Sequence, residues 1–358
     1  MGKTVADLDD KVQLLLNEMQ NEVPLVEHPW QALGAKVGLS EDAVLENLKV
    51  LKADRILRQV STIFDTASLG YKSSLVAAKS PAGKADEVAA ELNKHPGVSH
   101  NYLRKHDFNL WFTIAVPAHA DLQAHVDILQ KKSGAESIRL LPTLHLFKIG
   151  MKLDTTGGKA KNEGSPHYSQ EARKREKPPL VQKDIDYIRA LQMDMEVRAD
   201  PFTPVCEQLK TTPAELFAWC KEFQKQGRMR RVAGILNHRV AGFSANGMGV
   251  WIVPPERVQE VGDYMATIPE VTHCYLRPTY SDWPYNVFSM VHSKKVNMCD
   301  DVLTKMSEHT GIKDYCTLYS GKEYKKVRLL YFVGDIEQWE QENGLLPANV
   351  PAPFAAAK

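Results

Sequence analysis

The stretch RPTYSDWPYNVFSMVHSK (277–294) crowds Arg277, Tyr280, Trp283, Tyr285, Asn286 and His292 before and along a short apolar run. Three kinds of chemistry are on offer there. A guanidinium binds carboxylates through a bidentate fork and keeps its charge. An imidazole titrates near neutral pH and is a candidate acid. Tyr280 and Tyr285 supply hydroxyls and, with Trp283, an aromatic wall. Alternation from Asn286 places Phe288, Met290 and His292 on one strand face, so Asn286 and His292 can address one ligand. A second reserve, RMRRVAGILNHRV (228–240), holds Arg230, Arg231, His238 and Arg239. Each residue also has a plainer reading. Arg230 and Arg231 decorate a wing hairpin, His238 caps a turn, Trp283 anchors a loop, and His292 is a solvated strand end.

These residues sit in a chain of 358, long enough for two or more domains with their own cores. With 43% hydrophobic and 25% charged residues the composition is that of a globular protein, and a net charge of +1 argues for no nucleic acid or anionic lipid partner. No apolar run reaches membrane length and no signal peptide is evident. Cys206, Cys220, Cys274, Cys299 and Cys316 form no CxxC pair, so neither a disulfide framework nor a metal site is expected. The cytoplasm is the default compartment.

The chain repeats itself. ILRQVSTIFDTASLGYKSS (56–74) aligns with RMRRVAGILNHRVAGFSAN (228–246), HPGVSHNYLR (95–104) with IPEVTHCYLR (268–277), and FNLWFTIAVP (108–117) with YNVFSMVHSK (285–294). Between the copies, a Gly-, Pro-, Lys- and Glu-rich segment has almost nothing to bury and reads as a linker. In each copy, helical spacing and a capped helix pair, with Ser40 or Thr212 as N-cap, predict a helix-turn-helix followed by a short extended hairpin, the wing. A β-α-β-β-α-β order follows, that of a ferredoxin-like sandwich. The fold class is α+β, two tandem halves forming a covalent pseudo-dimer in which the first packs on the second. The expected boundaries are 1–64 and 65–153 for the helix-turn-helix and sandwich of the first half. Next come the linker at 154–180, the second half's two domains at 181–236 and 237–340, and a tail at 341–358.

This arrangement resembles the Lrp/AsnC family. Between the central strands, however, YLRKHDFNLWFT and YLRPTYSDWPYNVFSMVH replace the Gly and acidic residue of Lrp-type regulators, and these stretches resemble the siroheme decarboxylases of the same fold. That resemblance implies siroheme as substrate and loss of carbon dioxide from two acetate side chains, in haem or haem d1 synthesis. It implies no cofactor beyond the iron tetrapyrrole itself, since the protonated macrocycle can take up the electrons. On this reading His238, His292, Tyr280 and Tyr285 are the catalytic candidates. Arg230, Arg231, Arg239, Arg277, Trp283 and Asn286 are substrate-binding, joined from the first half by Arg104 and His106. The first half carries DTA (65–67) where the second carries NHR, so the main site is expected in the second half.

Specific DNA binding is not expected. The first recognition-helix candidate carries Glu41, Asp42, Glu46 and Asp54, and the second shows Phe217, Trp219 and Phe223 where base-reading polar groups would stand. A Lrp/AsnC-type transcriptional regulator, a haem-responsive binding protein and a tetrapyrrole-carrying scaffold are the alternatives. Further homo-oligomerisation is left open.

Overall fold

The computed structural model describes residues 5–149, 176–237, 245–293 and 296–347. The expected linker falls mostly outside these residues, as do His238 and Arg239. The first half runs α1 (Asp10–Asn21), α2 (Pro29–Val37), α3 (Glu41–Ala53), β1 (Leu57–Phe64), β2 (Tyr71–Lys79), α4 (Ala85–Leu92), β3 (Val98–Arg104), β4 (Leu110–Pro117), α5 (Leu122–Ser133), β5 (Ser137–Leu141) and β6 (His145–Ile149). The second runs α6 (Gln182–Leu191), α7 (Thr203–Leu209), α8 (Pro213–Lys225), β7 (Met229–Leu236), β8 (Ala245–Trp251), α9 (Val258–Thr267), β9 (Val271–Leu276), β10 (Val287–Ser293), α10 (Val296–Thr310), β11 (Tyr315–Lys326) and α11 (Asp335–Glu342). The chain forms two compact units, residues 1–69 with 152–243 and residues 70–151 with 244–358.

The first unit gathers both helix-turn-helix segments. Ser40 caps α3 by accepting from the Ala43 amide at 3.2 Å, and Thr212 and Glu215 close a reciprocal capping box on α8. Gly38 ends α2 at φ 70°, a left-handed turn that a side chain would strain. Among the described residues no wing hairpin is formed. Each half supplies one strand here among those residues, and β1 pairs antiparallel with β7 of the other half. A lone strand leaves its hydrogen-bonding edge unsatisfied, and the sister strand satisfies it. Further bonds join the halves here, from the Trp30 indole to the Arg198 carbonyl at 2.6 Å and from the Met195 amide to the Val60 carbonyl at 2.8 Å. On α8, Trp219 stacks on Phe223 at 3.8 Å and donates to Asp184, while Phe217 packs edge-on against Phe202. These aromatics are spent on packing inside the unit.

The second unit's strands run in one continuous nine-stranded order, β5-β2-β4-β3-β11-β8-β10-β9-β6, in which β5-β2-β4-β3 and β11-β8-β10-β9 form two sheets each in ferredoxin-like order. Strand alternation divides their side chains between two cores. Val287 and Val291 face Val261, Met265, Cys299 and Leu303 of the helices. Phe288, Met248, Val250 and Leu318 instead face Ala77, Trp111 and Leu141 of the other sheet. Each half then lends its last strand to the other. The far part of β11 continues onto β3, and β6, just beyond β5, pairs with β9. The lent strands cover edges that would otherwise lie open.

One glycine makes room for this exchange. A Cβ on Gly262 of α9 would lie 2.3 Å from the ring of Phe147, carried in on β6. Gly262→Ala should therefore cost about 1–3 kcal/mol through overpacking. Urea unfolding measures it, and an unchanged midpoint would show that Phe147 swings aside freely.

The C-terminal helix α11, which crosses the boundary expected for the tail, docks on the first half through a buried chain of rings. The Gly97 amide donates to His95 Nδ1 (3.0 Å), so His95 gives its Nε2 proton to His125 Nδ1 (2.8 Å), and His125 donates from Nε2 to Glu340 (3.0 Å). Trp339 packs against both imidazoles. Burial, reinforced by His125 and Lys325, holds His95 well below the usual imidazole range, and burial also lowers His125 against the pull of Glu340. The unfolded chain takes up these protons first, so their stabilisation is complete above about pH 6.5 and declines as pH falls below it. A histidine that stays neutral in the folded protein contributes a slope of at most about 1.4 kcal/mol per pH unit there. Burial raises the carboxyls of Asp335 and Glu337 on the same helix, which opposes the trend where they titrate. Urea unfolding between about pH 7.5 and 5.5 should show the decline, and His125→Gln should make it shallower. Equal slopes in the two proteins would place the pH dependence elsewhere.

Candidate functional site

The second unit brings most of the expected site residues to the space between its sheets, but gives several of them other work. Trp283 is fully buried. Its ring meets Trp111 at 5.1 Å, His106 at 5.3 Å and Phe108 at 5.7 Å from the first half, and Tyr285 at 4.9 Å from the second. It anchors the core between the halves. Its indole N–H has no hydrogen-bond partner among the described residues.

Arg277 and its counterpart Arg104 fill matching posts. Arg277 donates to the Leu141 carbonyl and lies over the rings of Tyr275 and Phe288. Arg104 donates to the Leu318 carbonyl at 2.5 Å. Both are buried, neither pairs with a carboxylate among the described residues, and burial pushes each guanidinium down to about 10. A contact repeated in both halves is a property of the fold: each arginine bolts its own sheet to the fourth sheet strand of the other half, just before the chain crosses over. To fork onto substrate carboxylates, as the sequence suggests, they would have to leave these carbonyls and open this seam.

Asn286 is held by backbone likewise. Its amide pairs in both directions with the Val253 backbone, at 2.9 Å and 2.8 Å, while in the first half Asn109 accepts from the Ser80 amide and donates to the Ser80 hydroxyl. The Tyr280 hydroxyl donates to the Leu140 carbonyl at 2.5 Å, and Arg139, paired with Asp282, lies over its ring. That hydroxyl is committed and is not placed as a proton donor. Tyr285 is half-buried, its phenol is raised by burial first and by Cys316 and Asp314 next, and its hydroxyl has no partner among the described residues. Beside it, His106 accepts the Phe108 amide at Nδ1 (3.0 Å), and burial lowers its pKa against the pull of Asp107. His106 is thus held neutral.

His292 lies on the same strand face as Phe288 and Met290, as alternation requires, about 13 Å along the strand from Phe288 at ~3.3 Å per residue. Its neighbours were not legible from alternation. Val271 and Cys274 both belong to the helix-side core, although three residues apart. The pairing explains this. Met290 opposes His273 and Val291 opposes Val271, so Thr272 is an extra residue, a β-bulge. The bulge turns Thr272 and His273 to the same face. The Thr272 hydroxyl lies 2.9 Å from Nδ1 of His273 and 2.9 Å from Nδ1 of His292. The first half repeats the bulge at Ser99, whose hydroxyl meets His100 Nδ1 at 3.0 Å and Thr113 at 2.8 Å. At the place of His292 it has Ala115. The paired SHNYLR and THCYLR segments were the available signal, and only the bulge gives it meaning.

Arg230 and Arg231 belong to the first unit, on β7. Arg231 is lowered by burial and by Arg230, against the pull of Glu22, and its Nε has no hydrogen-bond partner among the described residues. Among the described residues no group of three or more His, Cys, Asp or Glu is placed to hold a metal ion, and no helix is long and apolar enough to cross a membrane.

Comparison with known proteins follows the same division. The AsnC-like ligand binding domain family matches residues 68–148 and again 240–325, and the siroheme decarboxylase NirDL-like HTH domain family matches 13–58. The chain is 35% identical to the siroheme decarboxylase of Hydrogenobacter thermophilus, over 92% of its own length and 97% of that protein. It is 43% identical to the siroheme decarboxylase beta subunit of Methanosarcina barkeri, over 40% of this chain and 94% of that subunit. The crystal structure of the siroheme decarboxylase NirDL in co-complex with an iron-uroporphyrin III analogue matches with a TM-score of 0.71 at 30% identity, covering 94% of this chain and 100% of that one. With likeness running through both halves, from the first helix-turn-helix to the second sandwich, the chain belongs to the siroheme decarboxylase family.

Proposed function

We propose that the protein removes carbon dioxide from two acetate side chains of siroheme, leaving methyl groups, with no cofactor beyond the substrate's own macrocycle. The observation that carries this reading is the full-length likeness to a siroheme decarboxylase. The chemistry asks for a proton donor at the methylene carbon as the carboxylate leaves. His292 supplies an imidazole on the inner face of β10, where the first half has only alanine. This asymmetry supports a single main site built by the second half. Tyr285 and neutral His106 offer a second hydroxyl and imidazole at the other end of the inner space. Arg230 and Arg231, with His238 and Arg239, remain candidates to hold carboxylates that do not react. All five cysteines are free thiols, which suits a reducing compartment such as the cytoplasm.

Anaerobic incubation of the purified protein with siroheme, followed by mass spectrometry of the tetrapyrrole, tests the proposal. The expected product has lost two carbon dioxides. An unchanged mass across several reductants and pH values would leave a binding protein rather than an enzyme.

A further inference from the structure

The Thr272 hydroxyl has one proton and two imidazoles to serve. Its oxygen lies 2.9 Å from Nδ1 of His273, 2.9 Å from Nδ1 of His292 and 3.3 Å from the Met290 carbonyl. An O–H can donate to only one of these acceptors. At least one imidazole must therefore carry its own proton on Nδ1 and donate it to the threonine oxygen. The protonation states of His273 and His292 are coupled through this hydroxyl, and the bulge in β9 is what aims it at both rings.

We infer that Thr272 is a positioning residue that passes a proton from His273 to His292, making a two-imidazole relay of the second half. The inference rests on the decarboxylase reading. As the bond from the methylene carbon to the carboxylate breaks, carbon dioxide leaves and the electron pair stays on the methylene carbon, spread into the macrocycle. His292 donates from Nε2 to form the new C–H bond, and its Nδ1 takes the Thr272 proton. The threonine oxygen takes the Nδ1 proton of His273, which regains one at Nε2 from water. Each carbon dioxide released consumes one solvent proton. The first half has the bulge, the hydroxyl of Ser99 and His100, but Ala115 removes the second ring, so it has no relay to run.

Thr272→Val keeps the shape and deletes the hydroxyl, while Thr272→Ser restores it. In single-turnover assays of the full chain with siroheme, the valine variant should react at least about tenfold more slowly, less than the ~10²-fold loss of a general acid itself. Siroheme affinity, from absorbance titration, should stay within about twofold, and the serine variant should recover most of the rate. A second readout needs no turnover. In 15N-histidine spectra, assigned through His273→Gln and His292→Gln, wild type should show an Nδ1–H imidazole that the valine variant lacks. Valine turnover near wild type, serine as slow as valine, or identical tautomer spectra would each overturn the relay. If wild type itself leaves siroheme unchanged, the decarboxylase reading fails, and the spectra still decide whether the hydroxyl couples the two rings.

Discussion

His292→Ala should bind siroheme and turn it over at least about 10²-fold more slowly, the low end for a lost general acid. The reacting carbon must receive a proton, and arginine cannot deliver one at neutral pH. The Tyr280 hydroxyl is committed to the Leu140 carbonyl, which leaves imidazole as the better-placed donor on the sheet face. His292 is held by Thr272 through Nδ1, so the ring has a defined orientation rather than a solvated tip. Single-turnover rates and absorbance titration should separate the two effects, with kcat falling and affinity retained. His238, outside the described residues, is expected to behave in the same way. If the two act as a unit, the double variant should be little worse than the poorer single one. Near-wild-type turnover in both single variants, with folding intact, would mean that binding geometry and the chelated iron carry the reaction without histidine.

The second large effect is on stability. Trp283→Ala should cost about 3–5 kcal/mol, the range for deleting a buried indole. Trp283 is fully buried and touches rings on both halves: Trp111, His106 and Phe108 on one side, Tyr285 and Phe288 on the other. Removing it opens a cavity in the core that joins the two sheets, which can collapse only by moving one sheet toward the other. Trp283→Phe should recover most of the loss, since the indole N–H has no partner to forfeit. Urea unfolding is the measurement. A loss below about 1 kcal/mol for the alanine variant would show that the loop repacks, and would return Trp283 to the candidates for an open substrate wall.

Much of this protein is local physics and therefore legible in the chain. Ser40 and Thr212 satisfy amides within one helical turn, so their capping roles follow from neighbours three residues away. The alternation along β10 depends only on the pleat, and it assigns Phe288 and His292 to one face before any partner is known. The duplicated HNYLR and HCYLR segments announce the pseudo-dimer, and the contrast of MVH with TIA singles out the second half. What the chain could not show are contacts whose partners lie a hundred or more residues away. Arg277 reads as a carboxylate fork until β5 of the other half brings the Leu141 carbonyl to it. Trp283 reads as a wall until the second sheet covers it. The wing hairpin reads as a local turn until β1 finds β7. The bulge at Thr272 is subtler. One extra residue reverses the phase of a strand, and only the pairing partner, Met290 opposite His273, reveals which residue is extra. That single insertion places a hydroxyl between two imidazoles. Residue types and local periods come from the chain itself, while the partners that turn them into a site are decided by tertiary packing.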